Sequence, residues 1–204
     1  MAETPTRGDL ARAEILDAAR RLFIAQGYHG TSMRAIAHAA GGRAVAGLYN
    51  HFPTKEAIFA ALIEERHPYD EMLLLLEDIA GQAQTAPEFL RAALAGLMSL
   101  MPQHYDFLQL VQIDLREFGG RTLGHVIETR VFPRVLAVIE RLQGLPGLKP
   151  VAPSVWIRLI ASLVIGYVVT EQLDIFAPFR QHTQDEWATL FADALLNGLA
   201  TDGR

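Results

Sequence analysis

Residues 31–55 read TSMRAIAHAAGGRAVAGLYNHFPTK, and this stretch predicts two short helices joined by a glycine turn. Small apolar residues recur at spacings of three and four over residues 32–39, which is typical of one helical face. Gly41 and Gly42 end this helix, because glycine readily adopts the left-handed backbone of a helix exit. The second segment stops before Pro53, since proline disfavours a helical residue ahead of it. Helix, tight turn and helix is the plan of a helix-turn-helix DNA reader.

The regions that flank this stretch are also predicted to be helical. Residues 10–26 have apolar side chains on one helical stripe, with Asp9 as N-cap and Gly27 at the end, and this helix would support the two short ones as a scaffold. Thr54 is placed to cap a further helical region over residues 55–80, which a proline interrupts.

Two segments within this region resemble a known family. GYHGTSMRAIAHAAG, which begins at Gly27, and GLYNHFPTKEAIFAALI, which begins at Gly47, resemble the N-terminal domain of the TetR family of transcriptional regulators. The resemblance extends from about residue 13 to residue 63. It implies an all-α fold, with a three-helix helix-turn-helix DNA-binding domain in residues 1–55 and a larger helical effector-binding and dimerisation domain in residues 56–204.

The sequence departs from the family pattern at one place. Family members usually have one residue fewer between the Ile-Ala of the second helix and the Leu-Tyr of the third, and the extra residue here lies between Gly41 and Gly47. Two adjacent glycines could absorb the insertion within the turn. The register of Tyr49 is therefore better defined than that of the residues at the start of the third helix, predicted over residues 43–52.

The chemistry of these residues suggests their roles on DNA. The start of the second helix offers free N–H groups, two hydroxyls and the cation of Arg34, a combination that attracts phosphate. Arg43 is the long donor near the third helix, where small residues allow close approach, and arginine to guanine is the commonest specific base contact. A phosphate contact or a solvated turn position is the alternative for Arg43. The resemblance further implies phosphate contacts for Tyr49, His51 and Lys55.

The complete set of predicted DNA-binding residues combines these two short helices with the first residue of the next one. It consists of Thr31, Ser32, Arg34, Arg43, Ala44, Val45, Ala46, Gly47, Tyr49, Asn50, His51 and Lys55. Leu48 and Phe52 fall on the opposite face by spacing and are predicted to be core residues.

The distribution of charge fits a DNA reader better than the total does. The chain has a net charge of −5. Residues 1–55 hold seven Arg or Lys and four acids, a net +3, whereas residues 56–204 hold eleven basic and nineteen acidic residues, a net −8. A basic N-terminal unit on an acidic body can orient a molecule on a polyanion.

Composition excludes several other classes of protein. Half of the 204 residues are apolar, which suffices for a substantial core. There is no cysteine, so a disulfide framework and a cysteine-based zinc site are impossible. The N-terminus carries acids and no apolar run, unlike a signal peptide, and the longest apolar stretch falls short of the roughly 20 residues of a membrane span. We expect a cytoplasmic protein with no membrane partner.

The remainder of the chain is predicted to be helical, with breaks at proline and glycine. The predicted helices cover residues 89–100, 105–118, 122–143 with a kink at Pro133, 155–176 and 185–199. Residues 155–176 are apolar on most faces and are predicted to be buried on all sides.

The resemblance implies that the last two helices pair with those of a second subunit. The predicted homodimer interface consists of Ile160, Val164, Tyr167, Val168, Leu190, Ala194 and Leu195. An intrachain core is the alternative role of these residues. A dimer would present two readers about one helical turn apart and would favour a near-palindromic operator.

The resemblance also implies a small-molecule effector in the C-terminal domain. Large, adaptable apolar groups with few polar atoms would suit an apolar ligand. The predicted pocket residues are Met72, Phe89, Met98, Met101, Phe107, Leu110, Gln112, Trp156 and Tyr167. A packed core without a cavity is the alternative.

No motif in the chain predicts an enzyme. There is no glycine-rich phosphate loop and no serine-histidine-aspartate signature. His125 and Glu128 are an i, i+3 pair that could hold a metal, but such pairs are more often solvated surface. We predict no catalytic residue, metal or cofactor. We predict instead a DNA-binding repressor that a small, largely apolar effector releases from its double-stranded DNA operator. The alternatives are a dimeric ligand- or partner-binding module without specific DNA binding, and an enzyme in the helical body.

Overall fold

A computed structural model describes residues 6–146, 151–179 and 181–199, and no strand occurs in this part of the chain. The predicted all-α fold class is confirmed. The α-helices are α1 (Arg7–Gly30), α2 (Met33–Ala39), α3 (Val45–Tyr49), α4 (Lys55–Glu65), α5 (Tyr69–Gln82), α6 (Ala86–Leu100), α7 (Tyr105–Phe118), α8 (Arg121–Val126), α9 (Phe132–Gln143), α10 (Pro153–Glu171) and α11 (Gln184–Leu199).

The residue contacts divide the chain into two compact units. Unit 1 contains the residues up to His67 together with Asp106–Ile127, and unit 2 contains Pro68–Tyr105 together with the residues from Glu128 onward. The sequence placed a boundary between residues 55 and 56. In the structure α4 is grouped with unit 1, because its apolar side chains are buried in the same core as those of α1.

The first helix starts earlier than predicted and contains a break. Thr6, rather than Asp9, is the N-cap, since the Thr6 hydroxyl accepts a hydrogen bond from the Asp9 N–H while the Asp9 carboxylate accepts one from the Thr6 N–H. This capping box satisfies two free donors at once. At Gly27 the backbone has a φ of 74°, so the helix is interrupted there and a final turn continues to Gly30.

An aromatic cluster forms the core of unit 1. The ring of Phe23 stacks on Tyr28 with centroids 5.5 Å apart, and Phe59 stacks on Phe118 at 5.0 Å. Tyr28 also meets Phe118 edge-on at 4.8 Å. Such pairs are worth about 0.5–1.5 kcal/mol beyond their buried area. These contacts attach α4 and α7 to the scaffold helix α1, which supports the two short helices α2 and α3.

In unit 2, α6 is the central helix. Thr85 and Glu88 form its capping box. Phe89, Leu94 and Met98 are buried on α6, which packs against α5, α9, α10 and α11. The predicted segment over residues 89–100 therefore lies within this helix, whose first turn begins ahead of Pro87.

The predicted kink at Pro133 is instead a change of helix type. Between α8 and α9 the chain forms a π-helical turn, Ile127–Val131, and Pro133 lies in the first turn of α9. Proline has no N–H to donate to the carbonyl four residues earlier. A wider turn ahead of it accommodates that missing bond without an end to the helix.

Within one chain the apolar helix α10 is buried on part of its surface only, so the predicted burial of its other sides depends on a partner surface. Trp156, Val164 and Val168 are buried, whereas Val155 and Ile165 are exposed. Beyond α10 the chain forms a 3-10 helix, Asp174–Phe179, where the prediction continued the α-helix. By length and composition α10 could cross a membrane, but one such helix is weak support because helices of soluble cores pass the same test.

Candidate nucleic-acid interface

The start of α2 presents a cap and a cation, as expected, but one of its two hydroxyls is turned inward. The Ser32 hydroxyl accepts a hydrogen bond from the Ala35 N–H at 3.1 Å and is exposed. Thr31 is buried, and its hydroxyl donates to the Gly27 carbonyl at 2.9 Å. Thr31 therefore closes the end of α1, while Ser32 and the exposed Arg34 remain accessible.

Two adjacent glycines shape the turn between α2 and α3. Gly41 has a φ of 89° and Gly42 a φ of 70°. The Gly42 N–H donates to the His38 carbonyl at 2.9 Å, and the Arg43 N–H donates to the Ala37 carbonyl at 3.0 Å. Left-handed conformations of this kind cost a residue with a side chain about 1–2 kcal/mol each. The two glycines thus permit a tight turn in which carbonyls near the end of α2 stay bonded.

Helix α3 is short and presents small residues outward. Ala44 is its N-cap, and Ala44, Ala46, Tyr49 and Asn50 are exposed. Val45, Gly47 and His51 are partly exposed. A Cβ atom added at Gly47 would meet no atom within 4 Å, so this side of the helix is open.

The opposite side of α3 and the residues just after it pack against the rest of unit 1. Leu48 is fully buried and Phe52 is 3% exposed, which confirms both as core residues. The helix is thereby held with its small residues and the 51% exposed Tyr49 outward.

Arg43 lies before α3 rather than on it. Its Nη2 forms an ion pair with Oε2 of Glu14, which is a residue of α1. Its Nε is buried and has no hydrogen-bond partner among the described residues. Part of the guanidinium is therefore enclosed against the scaffold helix, an arrangement that the sequence did not predict.

Lys55, which the resemblance assigns to a phosphate contact, also forms several contacts within unit 1. Its Nζ donates to the carbonyls of Tyr28 at 2.7 Å and Thr31 at 2.8 Å, and lies 4.1 Å from the centre of the Tyr28 ring. Partial burial lowers the pKa of Lys55 from its ordinary value. Burial also raises the pKa of Tyr28 to about 12. An ammonium has three N–H groups, and these two carbonyls engage two of them.

The predicted pocket residues are divided between the two units. Phe107, Leu110 and Gln112 belong to unit 1, and the others belong to unit 2. In unit 2, Phe89, Met98, Met101 and Trp156 are packed in the core, and Met72 is partly exposed. The indole Nε1 of Trp156 is buried and has no hydrogen-bond partner in the described part of the chain.

An open groove of about 550 Å³ runs along the apolar side of α10 and α11 in unit 2. Of the predicted pocket residues, it contains only Tyr167. The residues that line it are Ser162, Leu163, Gly166, Tyr167, Thr170, Glu171, Phe176, Trp187 and Phe191. The sequence analysis missed Trp187 and Phe191, although their spacing of four places both aromatic rings on one side of α11.

The predicted dimer residues fall into two groups. Val164, Val168 and Leu195 are buried within unit 2 of a single chain, because they pack toward the other helices of that unit. Leu190 and Ala194 are exposed, and Ile160 and Tyr167 are partly exposed. An outward apolar set therefore exists on both final helices, and it also includes Ile165, which the prediction omitted.

Comparison with known proteins places this geometry in context. Residues 15–62 match the family described as bacterial regulatory proteins, tetR family. The chain is 32% identical over 106 residues to the HTH-type transcriptional repressor AcnR of Corynebacterium efficiens, with 49% of this chain and 46% of that protein covered. It is 29% identical to AcnR of Corynebacterium diphtheriae over 147 residues, with 68% and 66% covered. The chain thus spans less than two thirds of the length of either relative.

The architecture is also similar to solved structures. A TetR family transcription regulator from Marinobacter aquaeolei has a TM-score of 0.69 at 20% identity, with 95% of this chain and 97% of that one covered. At this identity the likeness concerns the fold, and it extends over both units rather than the matched N-terminal segment alone.

Proposed function

Since this chain belongs to the TetR family of bacterial regulatory proteins, we propose that it is a DNA-binding transcriptional regulator that reads its operator with α2 and α3. Members of this family are regulators of transcription and not enzymes. The observation that carries the proposal is the outward face of α3, where Ala44, Ala46 and the open side of Gly47 stand beside the exposed Tyr49. Small side chains let the backbone approach base edges, and the tyrosine hydroxyl can donate to a phosphate.

The start of α2 supports the backbone part of this contact. Ser32 caps the helix there, and Arg34 is exposed in the first turn. A helix start combined with a cation favours a phosphate oxygen. Lys55 retains one donor for a second phosphate. In this arrangement phosphate contacts orient α3, and the residues from Arg43 to Gly47 read the base edges.

The proposal includes a homodimer formed through α10 and α11. The groove along these helices is apolar and open, and Ile165 and Leu190 are exposed at 44% and 46%. Exposed apolar side chains in such a set favour burial against a protein partner. A second copy of the same face would give a two-fold dimer, whose two readers would bind a near-palindromic operator.

Control by a small, largely apolar effector is the third part of the proposal. The core of unit 2 holds the flexible side chains of Met98 and Met101 as well as Trp156, whose buried indole N–H could donate to one acceptor atom of such a ligand. The effector must favour a state in which the two readers no longer match the operator spacing. A coupling of roughly 1–3 kcal/mol would change DNA affinity about 5–150-fold. Repression is proposed because the AcnR relatives are named as repressors.

A selection on randomised duplexes tests the proposal, with the size of the protein measured in the same buffer. The expected result is a near-palindromic motif bound by a dimer. Enrichment of no sequence by a folded dimer at low salt would reject specific DNA binding and favour a ligand- or partner-binding module. A monomer that still selects a single half-site would reject the dimer alone.

A further inference from the structure

The ion pair between Arg43 and Glu14 joins the reader to the scaffold helix. The pair spans 29 positions of sequence, and both side chains are partly exposed, at 35% and 58%. Nη2 of Arg43 is engaged by the carboxylate, and Nε is buried without a partner among the described residues. The guanidinium is therefore held at one end, although an arginine has five N–H donors in all.

The other acids of α1 have different partners. Asp9 belongs to the capping box at the start of the helix, and Asp17 pairs with Arg66 at the end of α4, with an Nη2 to Oδ1 distance of 3.1 Å. In the part of the chain that the structure describes, Glu14 is the acid of α1 that engages a predicted DNA-reading arginine. Arg34, at the start of α2, forms no ion pair with any of the described residues.

A carboxylate at this place has opposite effects on two kinds of DNA contact. It cancels part of the attraction between Arg43 and any phosphate, which is the sequence-independent part of DNA affinity. The edge of a guanine offers two acceptors in a fixed geometry that matches a guanidinium. It can therefore replace the Glu14 carboxylate as the partner of Arg43 better than a phosphate that is not aligned with the guanidinium. Because specificity is a difference between affinities, a group that weakens the wrong contacts increases specificity.

We propose that Glu14 is a positioning residue that sets the sequence discrimination of Arg43. It holds the guanidinium on α1 when the protein is on non-specific DNA, and it yields the guanidinium to a base edge at the operator. The proposal rests on the DNA-binding function proposed above. It assigns a role in specificity to a side chain of the scaffold helix that itself contacts no base.

Glu14→Gln tests this proposal, with Asp17→Asn as the matched control. Each variant removes one negative charge and one exposed ion pair from the same helix, so both should melt close to the wild-type temperature. Affinity for a duplex of random sequence is measured over a series of salt concentrations. In Glu14→Gln the freed Arg43 gains a phosphate contact, so the slope of log affinity against log salt should steepen by about 0.9. Asp17→Asn should leave that slope unchanged.

The same selection on randomised duplexes reports discrimination. A bidentate arginine contact gives a preference of about 5- to 150-fold at its base pair. Glu14→Gln should reduce the preference at the base pair that Arg43 reads by at least several-fold, whereas Asp17→Asn should retain it. Identical slopes and motifs in the two variants would overturn the proposal.

A double-mutant cycle shows whether Glu14 acts through Arg43. In an Arg43→Gln background, Glu14→Gln should alter the salt slope no more than Asp17→Asn does. An effect of Glu14→Gln that is equally large with and without Arg43 would mean that Glu14 acts directly on DNA, and it would overturn the positioning role. If the wild type selects no sequence, the proposed function fails, while the slopes on random duplex still decide the relationship between Glu14 and Arg43.

Discussion

The ammonium of Lys55 lies 4.1 Å from the centre of the Tyr28 ring and donates to the Tyr28 carbonyl at 2.7 Å. With a further hydrogen bond to the Thr31 carbonyl, this lysine attaches the start of α4 to the end of α1. The last carbonyls of a helix lack a full set of partners within the helix. The Tyr28 carbonyl accepts the Thr31 N–H at 3.3 Å, and Lys55 gives it a second donor. The residue that the resemblance assigns to phosphate is thus also part of the framework that supports the reader.

Lys55→Ala should therefore affect both stability and DNA binding. Loss of two charge-assisted hydrogen bonds and the ring contact should lower the free energy of unfolding by about 1–3 kcal/mol. Affinity for all duplexes should fall as well. Thermal melting and a salt series measure the two effects separately.

Arg34→Ala is the control for that variant, because Arg34 is exposed at the start of α2. It should leave the melting temperature unchanged and reduce the salt slope by about 0.9. A Lys55→Ala protein that melts like Arg34→Ala would show that the lysine has no structural role.

Tyr49→Phe should weaken binding to every duplex about equally. The side chain is 51% exposed on α3, so loss of the hydroxyl should cost the fold little. One hydrogen bond to phosphate is worth about 0.5–1.5 kcal/mol, or roughly 2- to 10-fold in affinity. Titration of operator and random duplexes checks this, and a loss restricted to certain sequences would mean that Tyr49 reads a base.

Substitution of alanine at two glycines should separate the turn from the DNA contact. Gly42 has a φ of 70°, so Gly42→Ala should destabilise the protein by about 1–2 kcal/mol despite open space around it. Gly47 has no such φ, and Gly47→Ala should maintain or raise stability by up to about 1 kcal/mol.

Gly42→Ala should lose more stability than Gly47→Ala, but Gly47→Ala should lose more affinity for the operator. At temperatures where both are folded, Gly47→Ala should weaken operator binding more, because its new methyl group would occupy the open side of α3 that is proposed to approach the base edges. Melting curves and operator titrations measure the two rankings, and equal operator affinity in Gly47→Ala and the wild type would place Gly47 away from the DNA.

The dimer face can be tested with a single charge. Ile165→Glu or Leu190→Glu would bury an unpaired carboxylate in the proposed interface, where the cost greatly exceeds that of an exposed position. The expected result is a monomer in a size determination. Leu74→Glu is the control, because Leu74 is 62% exposed and lies on α5 rather than on α10 or α11, and this variant should remain dimeric. Dimers in all three variants would place the interface elsewhere.

The helices and the reader stretch could be predicted because their signals are local. Thr54 caps α4 and the glycines after α2 end that helix, both as expected, and Ser32 caps α2. Misplaced boundaries arose where two local signals competed. Thr6 and Asp9 are three positions apart and bond to each other, so both residue types fit a helix start, and the capping box decides for Thr6.

The apolar surface of α10 marks the limit of composition as a guide. The run of apolar residues predicted burial on every side, but the packing of unit 2 covers only part of it and leaves Val155 and Ile165 outward. An apolar composition predicts that a surface will be buried away from water, but it does not predict which other surface will cover it.

The sequence by itself determined the all-α fold, the helix-turn-helix stretch and the buried face of α3, because periodicity, caps and turn residues act over a few positions. Tertiary structure alone decided which polar groups of the proposed reader are exposed and which are bonded within the protein. It turned Thr31 inward, joined Lys55 to carbonyls 24 and 27 positions away and paired Arg43 with Glu14. A charged side chain binds whichever partner the packed helices bring within reach, and that partner follows from the arrangement of distant segments rather than from any local pattern.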